Sequence, residues 1–186
     1  AGDSGIDLDI KGFDSTIGAA SFYAFEKHVN KWYARHGPGY DKAGSQARAA
    51  LIHSLIFNYT VIGKTVSQSR MGNPSGQPMT SIFNCFISKM ILMIAYINLV
   101  PQVQLKSQYY PISGPRGFFH HTRSFVLGDD SIASVNDIVK EFYNFTTIKG
   151  FLEKYGIVVT PSTKTDPDYI TKSIFELEFL SCTTVR

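Results

Sequence analysis

Three carboxylates invite a chemical reading: Asp9, and the adjacent pair Asp129 and Asp130 roughly 120 positions later. Each cluster follows an apolar stretch of strand character, so each sits where a sheet edge meets solvent. If the two strands are neighbours, the three carboxylates converge. Converging carboxylates repel unless a cation neutralises them, and hard oxygen donors with open positions suit magnesium or manganese. A two-metal site for phosphoryl transfer follows from that donor set. Rival constellations fail. Gly63-Lys64-Thr65 ends like a phosphate-binding loop, but its first glycine would fall at Asn58. His120 and His121 are adjacent, point apart and have no third ligand nearby. Cys85 and Cys182 form no CxxC and read as free thiols of a reducing compartment.

The elements that must position these groups are legible in outline. Ile6, Leu8 and Ile10 alternate with Asp7 and Asp9, the pattern of a half-buried strand with carboxylates on its other face, ending at Lys11-Gly12. From Asp14 the spacing becomes helical, with Ile17, Phe22, Phe25, Val29 and Trp32 as a core face and Gly37-Pro38-Gly39 as the stop. A second helix is expected over residues 46–59, then an extended piece around Gly63. Gly72-Asn73-Pro74-Ser75-Gly76 is a turn-rich loop feeding a long apolar helix over residues 81–100. Asn84, Ser88, Lys89 and Asn98 within that helix argue for burial in protein and against a transmembrane segment.

Residues 101–122 hold three prolines and two glycines and read as a long connection. Ser124-Phe125-Val126-Leu127 and Ser131-Ile132-Ala133 flank Gly128-Asp129-Asp130, a hairpin with acid at its tip. Asn136 or Asp137 is placed to cap a helix running to about Tyr155, followed by a strand at Ile157-Val158-Val159 and a last strand or hairpin over residues 174–186.

Composition bounds the rest. At 186 residues and 44% hydrophobic content the chain suffices for one core and falls short of two full domains. Charged residues at 18% exclude a disordered polyelectrolyte. The net charge of +3 lies wholly in the first half and is compatible with nucleic acid without demanding it. The N-terminus carries no secretory signal pattern.

In order along the chain, Asp9-Ile10-Lys11-Gly12-Phe13-Asp14 resembles the D-x4-D motif A of viral RNA-dependent RNA polymerases of the picornavirus-like group. Ser75 through Asn84 resembles their motif B, Gly128-Asp129-Asp130 motif C, Thr160-Pro161-Ser162-Thr163-Lys164 the motif D loop, and Phe179-Leu180 the start of motif E. Each motif is weak alone; four in order on suitable elements are specific.

The resemblance implies an α+β right-hand polymerase palm, a ferredoxin-like or RRM-like antiparallel sheet backed by helices, with residues 37–71 as a fingers-type insertion. It implies catalytic Asp9, Asp129, Asp130 and Lys164, of which the three aspartates hold Mg2+ or Mn2+ and Lys164 is the general acid. It assigns Asp14 and Asn84 to the ribose 2′-hydroxyl, with Ser75 and Thr80 positioning that network and Gly76 giving the loop freedom. Template and primer RNA and ribonucleoside triphosphates are the implied partners, together with fingers and thumb missing from this fragment and other viral replication proteins. The implied setting is a replication complex of a positive-strand RNA virus in host cytoplasm.

Two departures stand out: Leu127 precedes the motif C glycine where tyrosine is common, and Ser181-Cys182 follows Phe179-Leu180 where Lys-Arg is common. A reverse transcriptase would share the carboxylates without reason to keep Asp14 and Asn84, and a non-catalytic palm scaffold is the rival from another class.

Overall fold

The computed structural model describes residues 3–37, 40–69, 71–101, 112–164 and 167–183. In chain order the elements are β1 (Ser4–Ile10), α1 (Phe13–Thr16), α2 (Ala19–His36), α3 (Lys42–Ile56), β2 (Tyr59–Ile62), β3 (Thr65–Gln68), α4 (Thr80–Leu99), α5 (Gly114–His121), β4 (Thr122–Leu127), β5 (Asp130–Val135), α6 (Phe145–Glu153), and four two-residue strands, β6 (Val159–Thr160), β7 (Lys172–Ser173), β8 (Glu178–Phe179) and β9 (Cys182–Thr183). The chain divides into two compact units, Gly12–Phe83 and the remainder, and residues 37–71 fall within the first of these.

The unit made of Ala1–Lys11 and Asn84–Arg186 is an antiparallel sheet in the order β4-β5-β1-β6, with β7 also on β1. One face carries Ile6, Leu8, Ile10, Ala133, Val135 and Val159, all buried. The helical side of this core contributes Phe145, Ile148 and Leu152 of α6, and Tyr96, which packs edge-on against Phe118 and Tyr143. Each such apolar side chain removed from water stabilises by about 1.5–3 kcal/mol. Tyr96 and Tyr143 keep their hydroxyls satisfied by donating to the carbonyls of Ile112 and Leu92.

Several sequence expectations need correcting here. The carboxylates of β1 lie on the face opposite Ile6 and Leu8, yet that face is closed: Asp7 is 1% and Asp9 9% exposed. β1 is a central strand, flanked by β5 on one side and by β6 and β7 on the other. Residues 136–155 are not one helix. Asn136 closes a single turn, and α6 starts at Phe145 behind Asn144, whose side chain accepts from Thr147 N–H while Thr147 Oγ1 accepts from Asn144 N–H. The segment after Pro101 contains α5, introduced by Ser113 with Pro115 in its first turn; residues 102–111 lie outside the described residues.

In the unit Gly12–Phe83 the helical run after Asp14 is interrupted. α1 stops at Thr16, Ile17 and Gly18 are extended, and α2 starts at Ala19. Phe22 and Phe25 form the buried face, stacked and edge-on with Phe83. Trp32 is 52% exposed, so the aromatic at helical spacing is not core. α3 starts at Lys42, earlier than expected, because Asp41 caps it by accepting from Gly44 N–H at 2.6 Å. The extended piece around Gly63 is a hairpin of β2 and β3, exposed along its length.

Candidate active site

Asp9 and Asp130 stand directly opposite each other across the β1–β5 ladder, and Thr160 of β6 faces Asp9 from the other side. Period-two alternation puts Asp7, Asp9 and Asp130 on one face of the sheet. The hairpin that delivers Asp130 is tighter than its three-residue tip suggests: Leu127 pairs with Asp130, so Gly128 and Asp129 alone form the turn. Gly128 has φ 66°, a left-handed value that glycine adopts freely, as two-residue hairpin turns require. Asp129 projects exposed from that turn and Asp130 opens β5 half-buried.

The helix α4 holds the turn from behind. Ser88, buried at 1% exposure, donates its hydroxyl to the carbonyl of Gly128. Lys89 donates to the carbonyl of Ser124 at 3.1 Å and also to its hydroxyl. Burial, and then the neighbouring charge of Arg123, lower the Lys89 pKa. Ser88 and Lys89, both about one turn along α4 from Asn84, therefore tie the helix to the turn after β4 and to β4 itself. Among the described residues α4 is the one helix long and apolar enough to cross a membrane, with 39% of its most apolar window buried in the protein.

The group beside Asp9 is Lys164, whose Nζ lies 3.1 Å from Asp9 Oδ2. Lys164 sits on the loop after β6 with φ 52°, left-handed for a non-glycine residue. Its hydrogen bond to Asp9, with the charges of Asp9, Asp129 and Asp130, holds its ammonium above the usual lysine range. Asp130 is pushed up as well, first by burial and then by repulsion from Asp129 and Asp9. Both effects disfavour its charged form.

The all-oxygen donor set of Asp9, Asp129 and Asp130 fits a hard divalent cation. Among the described residues, though, no three metal-ligating groups are drawn together closely enough to cage an ion. The expected convergence is therefore a facing pair with a turn carboxylate beside it, and Lys164 is the cation at hand. The adjacent histidines form no ligand pair either: His121 is buried, with both ring nitrogens unpartnered.

Asp14, Ser75, Gly76 and Thr80 belong to the other unit. Gly12 occupies the N-cap position of α1, so Asp14 is not its cap. The Asp14 carbonyl accepts from Asn73 N–H at 2.8 Å, and Gly72 N–H bonds to Ile17 at 2.8 Å, tying the loop before α4 to the segment that carries Asp14. Within that loop Thr80 donates to the Pro74 carbonyl at 2.9 Å, and Gly76 takes φ 85°. Ser75 is exposed. A cavity of about 330 Å³, open to solvent, is lined by Asp14, Asn58, Thr60, Met71, Asn73 and Pro74 among others. Asn84, 6% exposed, stands on α4 in the sheet-bearing unit.

Sequence reasoning missed Asp7, Tyr169 and Ser88. Asp7 Oδ1 accepts from the Tyr169 hydroxyl at 2.5 Å, and Asp7 Oδ2 accepts from Glu178 N–H at 3.2 Å. Nothing local marks a contact across 162 positions. Ser88 was within reach, since a serine and a lysine side by side in an apolar helix need partners.

The family model described as viral RNA-dependent RNA polymerase matches residues 1–186. The chain is 29% identical over 174 residues to the replication polyprotein of Nora virus, covering 94% of the chain and 8% of the polyprotein. It is 27% identical over 179 residues to the RNA1 polyprotein of Cycas necrotic stunt virus, covering 96% and 7%. It is 25% identical over 173 residues to the genome polyprotein of Rice tungro spherical virus (strain Vt6), covering 93% and 5%. Among solved structures, the fold is similar to that of the 3Dpol RNA-dependent RNA polymerase of a sicinivirus, with a TM-score of 0.64 at 20% identity over 96% of this chain and 33% of that one. The chain thus spans a small part of its curated relatives, and its α+β architecture is palm-like.

Proposed function

The chain belongs to the viral RNA-dependent RNA polymerase family, and on that premise we propose that it carries the nucleotidyl-transfer site of such an enzyme. In this reaction the 3′-hydroxyl of an RNA strand attacks the α-phosphorus of a ribonucleoside triphosphate paired with template RNA, and pyrophosphate leaves. The observation that carries the reading is the facing pair Asp9 and Asp130 at the end of the central strand, with Asp129 in the adjoining turn and Lys164 at 3.1 Å from Asp9.

Asp9 and Asp129, with Asp130 as accessory, would hold the divalent cations of this family, Mg2+ or Mn2+, which activate the attacking hydroxyl and neutralise the triphosphate when bound. Rigid sheet pairing fixes Asp9 and Asp130, while Asp129 keeps the freedom of an exposed turn. Lys164 delivers a proton to the departing pyrophosphate; its raised pKa keeps the ammonium charged until a phosphate oxygen draws the proton. Asp14 and Asn84 recognise the ribose 2′-hydroxyl, the group that separates RNA precursors from DNA precursors. Ser75 and Thr80 shape the loop that presents the nucleotide, and Gly76 lets it move.

Template and primer RNA, further parts of a larger polymerase such as fingers and thumb, and other viral replication proteins are the partners this reading supplies, at replication complexes in host cytoplasm. The test is primer extension on a short primed RNA with Mn2+ and labelled ribo- or deoxyribonucleotides, beside an Asp9→Ala plus Asp129→Ala control. Extension with ribonucleotides that the control lacks supports the reading; preferential use of deoxyribonucleotides would replace it with reverse transcription.

A further inference from the structure

β1 is paired along Gly5–Asp9 by β5 on one side. On its other side β7 covers Ser4 and Gly5 and β6 covers Asp9 and Ile10, which among the described residues leaves Ile6 to Leu8 without a strand there. A side chain fills the break. The Asp7 N–H donates to the Tyr169 hydroxyl at 2.8 Å, and that hydroxyl donates in turn to Asp7 Oδ1. Tyr169 is itself fixed. Its ring stacks on Phe145 at 4.8 Å, Lys172 Nζ lies 4.6 Å from the ring centre, and its carbonyl accepts from Thr146.

The residues that follow are pressed just as closely to β1: a Cβ built on Gly5 would come within 2.6 Å of Leu177 Cδ1. Lys164 lies five positions before Tyr169, on a loop whose near end is β6, paired with Asp9 and Ile10. The chain is thus on β1 beside Asp9 at β6 and on β1 again at Tyr169, against Asp7, with residues 165 and 166 outside the described residues. Lys164 has φ 52°, a left-handed conformation that a non-glycine residue keeps where its surroundings hold it.

We propose that Asp7 and Tyr169 form a positioning pair, which fastens the far end of the Lys164 loop to β1 and so holds the Lys164 ammonium beside Asp9. Its bearing on catalysis rests on the polymerase reading above; the fastening itself does not.

The test uses the full chain as wild type, Tyr169→Phe, Asp7→Asn and an Asp9→Asn control. Two quantities are read by mass spectrometry at fixed pH: acetylation of the Lys164 amine by acetic anhydride, and amide hydrogen exchange across residues 161–169. Tyr169→Phe keeps the ring contacts and removes only the hydroxyl. In it, Lys164 labelling should rise several-fold toward the Asp9→Asn level, and exchange should accelerate in that loop while β4, β5 and α4 keep their protection. Asp7→Asn, whose single amide oxygen replaces two acceptors and so cannot serve both the Tyr169 hydroxyl and the Glu178 N–H, should move both readouts in the same direction. Wild-type labelling of Lys164 in Tyr169→Phe overturns the proposal. So does acceleration of all protected segments together, or loss of fold in both variants, because the pair would then serve the fold at large. Neither readout uses nucleotide, so wild-type labelling of Lys164 in Tyr169→Phe leaves the polymerase reading standing, and preferential incorporation of deoxyribonucleotides overturns that reading while leaving the fastening in place.

Discussion

At the start of β1 the strand is closed in. Asp7 is 1% exposed and its carboxylate is taken up by the Tyr169 hydroxyl and the Glu178 N–H. Two positions on, at the end of the same strand and on the same face, Asp9 meets Lys164 at 3.1 Å, and the pKa of its neighbour Asp130 is raised first by burial and then by repulsion from Asp129 and Asp9. Residue type, strand and face are shared, while surroundings differ. A carboxylate whose lone pairs are satisfied by neutral donors serves the fold, whereas one set among other carboxylates and an exposed lysine is available for chemistry. Burial alone does not separate them, since both are mostly hidden.

The comparison breaks if the two aspartates respond alike to substitution. The largest effect is expected at the open end. Asp9→Ala should lower ribonucleotide incorporation by about 10³-fold or more, with its thermal midpoint equal to or above that of the wild type. Lys164→Leu should follow, with a loss of about 10²-fold or more in kcat and little change in nucleotide KM, as removal of a general acid requires. Both are read by single-nucleotide incorporation beside a thermal melt.

At the closed end, Asp7→Ala strands a buried hydroxyl and an N–H. A loss of about 2–4 kcal/mol is expected, read as a fall in denaturation midpoint at unchanged m-value. Ser88→Ala tests the same distinction behind the Gly128 carbonyl and should lower stability by about 1 kcal/mol.

The smallest effect sharpens the contrast by sign. Asp130 has a folded-state pKa raised above its unfolded value, so the native state binds more protons through that interval and stability falls as pH rises through it. Asp130→Asn should therefore melt a little higher than wild type at neutral pH. The gain should shrink in acid, below the unfolded pKa, where the wild-type carboxyl is protonated in both states. A thermal midpoint lowered at pH 7 and restored in acid would reverse the assignment of Asp130 as a strained carboxylate.

These signs bear on what was readable in advance. Asp9 and the Gly128-Asp129 turn were legible because strand alternation and a glycine beside acid are local signals. Asp7 obeyed the same alternation and was taken for a solvent-facing carboxylate, because periodicity reports which face a residue is on and says nothing of what covers it. Trp32 failed for the converse reason: helical spacing nominated it for a core, but nothing packs enough of its ring away from water. The helix after β5 was misplaced because Asn136 and Asn144 are both good caps, and only the second has Thr147 at the position that completes a reciprocal cap. Lys164 was singled out by motif order but its contact with Asp9 was not, and the Tyr169 contact depends on how a distant segment returns to β1.

The central position of β1 also sets a schedule for making the protein. Its partners are supplied late: β5 starts at residue 130, β6 at residue 159 and β7 at residue 172. At roughly 5–20 residues per second of synthesis, the first strand waits on the order of 10–30 s for its last neighbour. Until then a segment with Ile6, Leu8 and Ile10 has no ladder to join, so the nascent chain is most open to mispairing or chaperone capture at the strand that will carry Asp9.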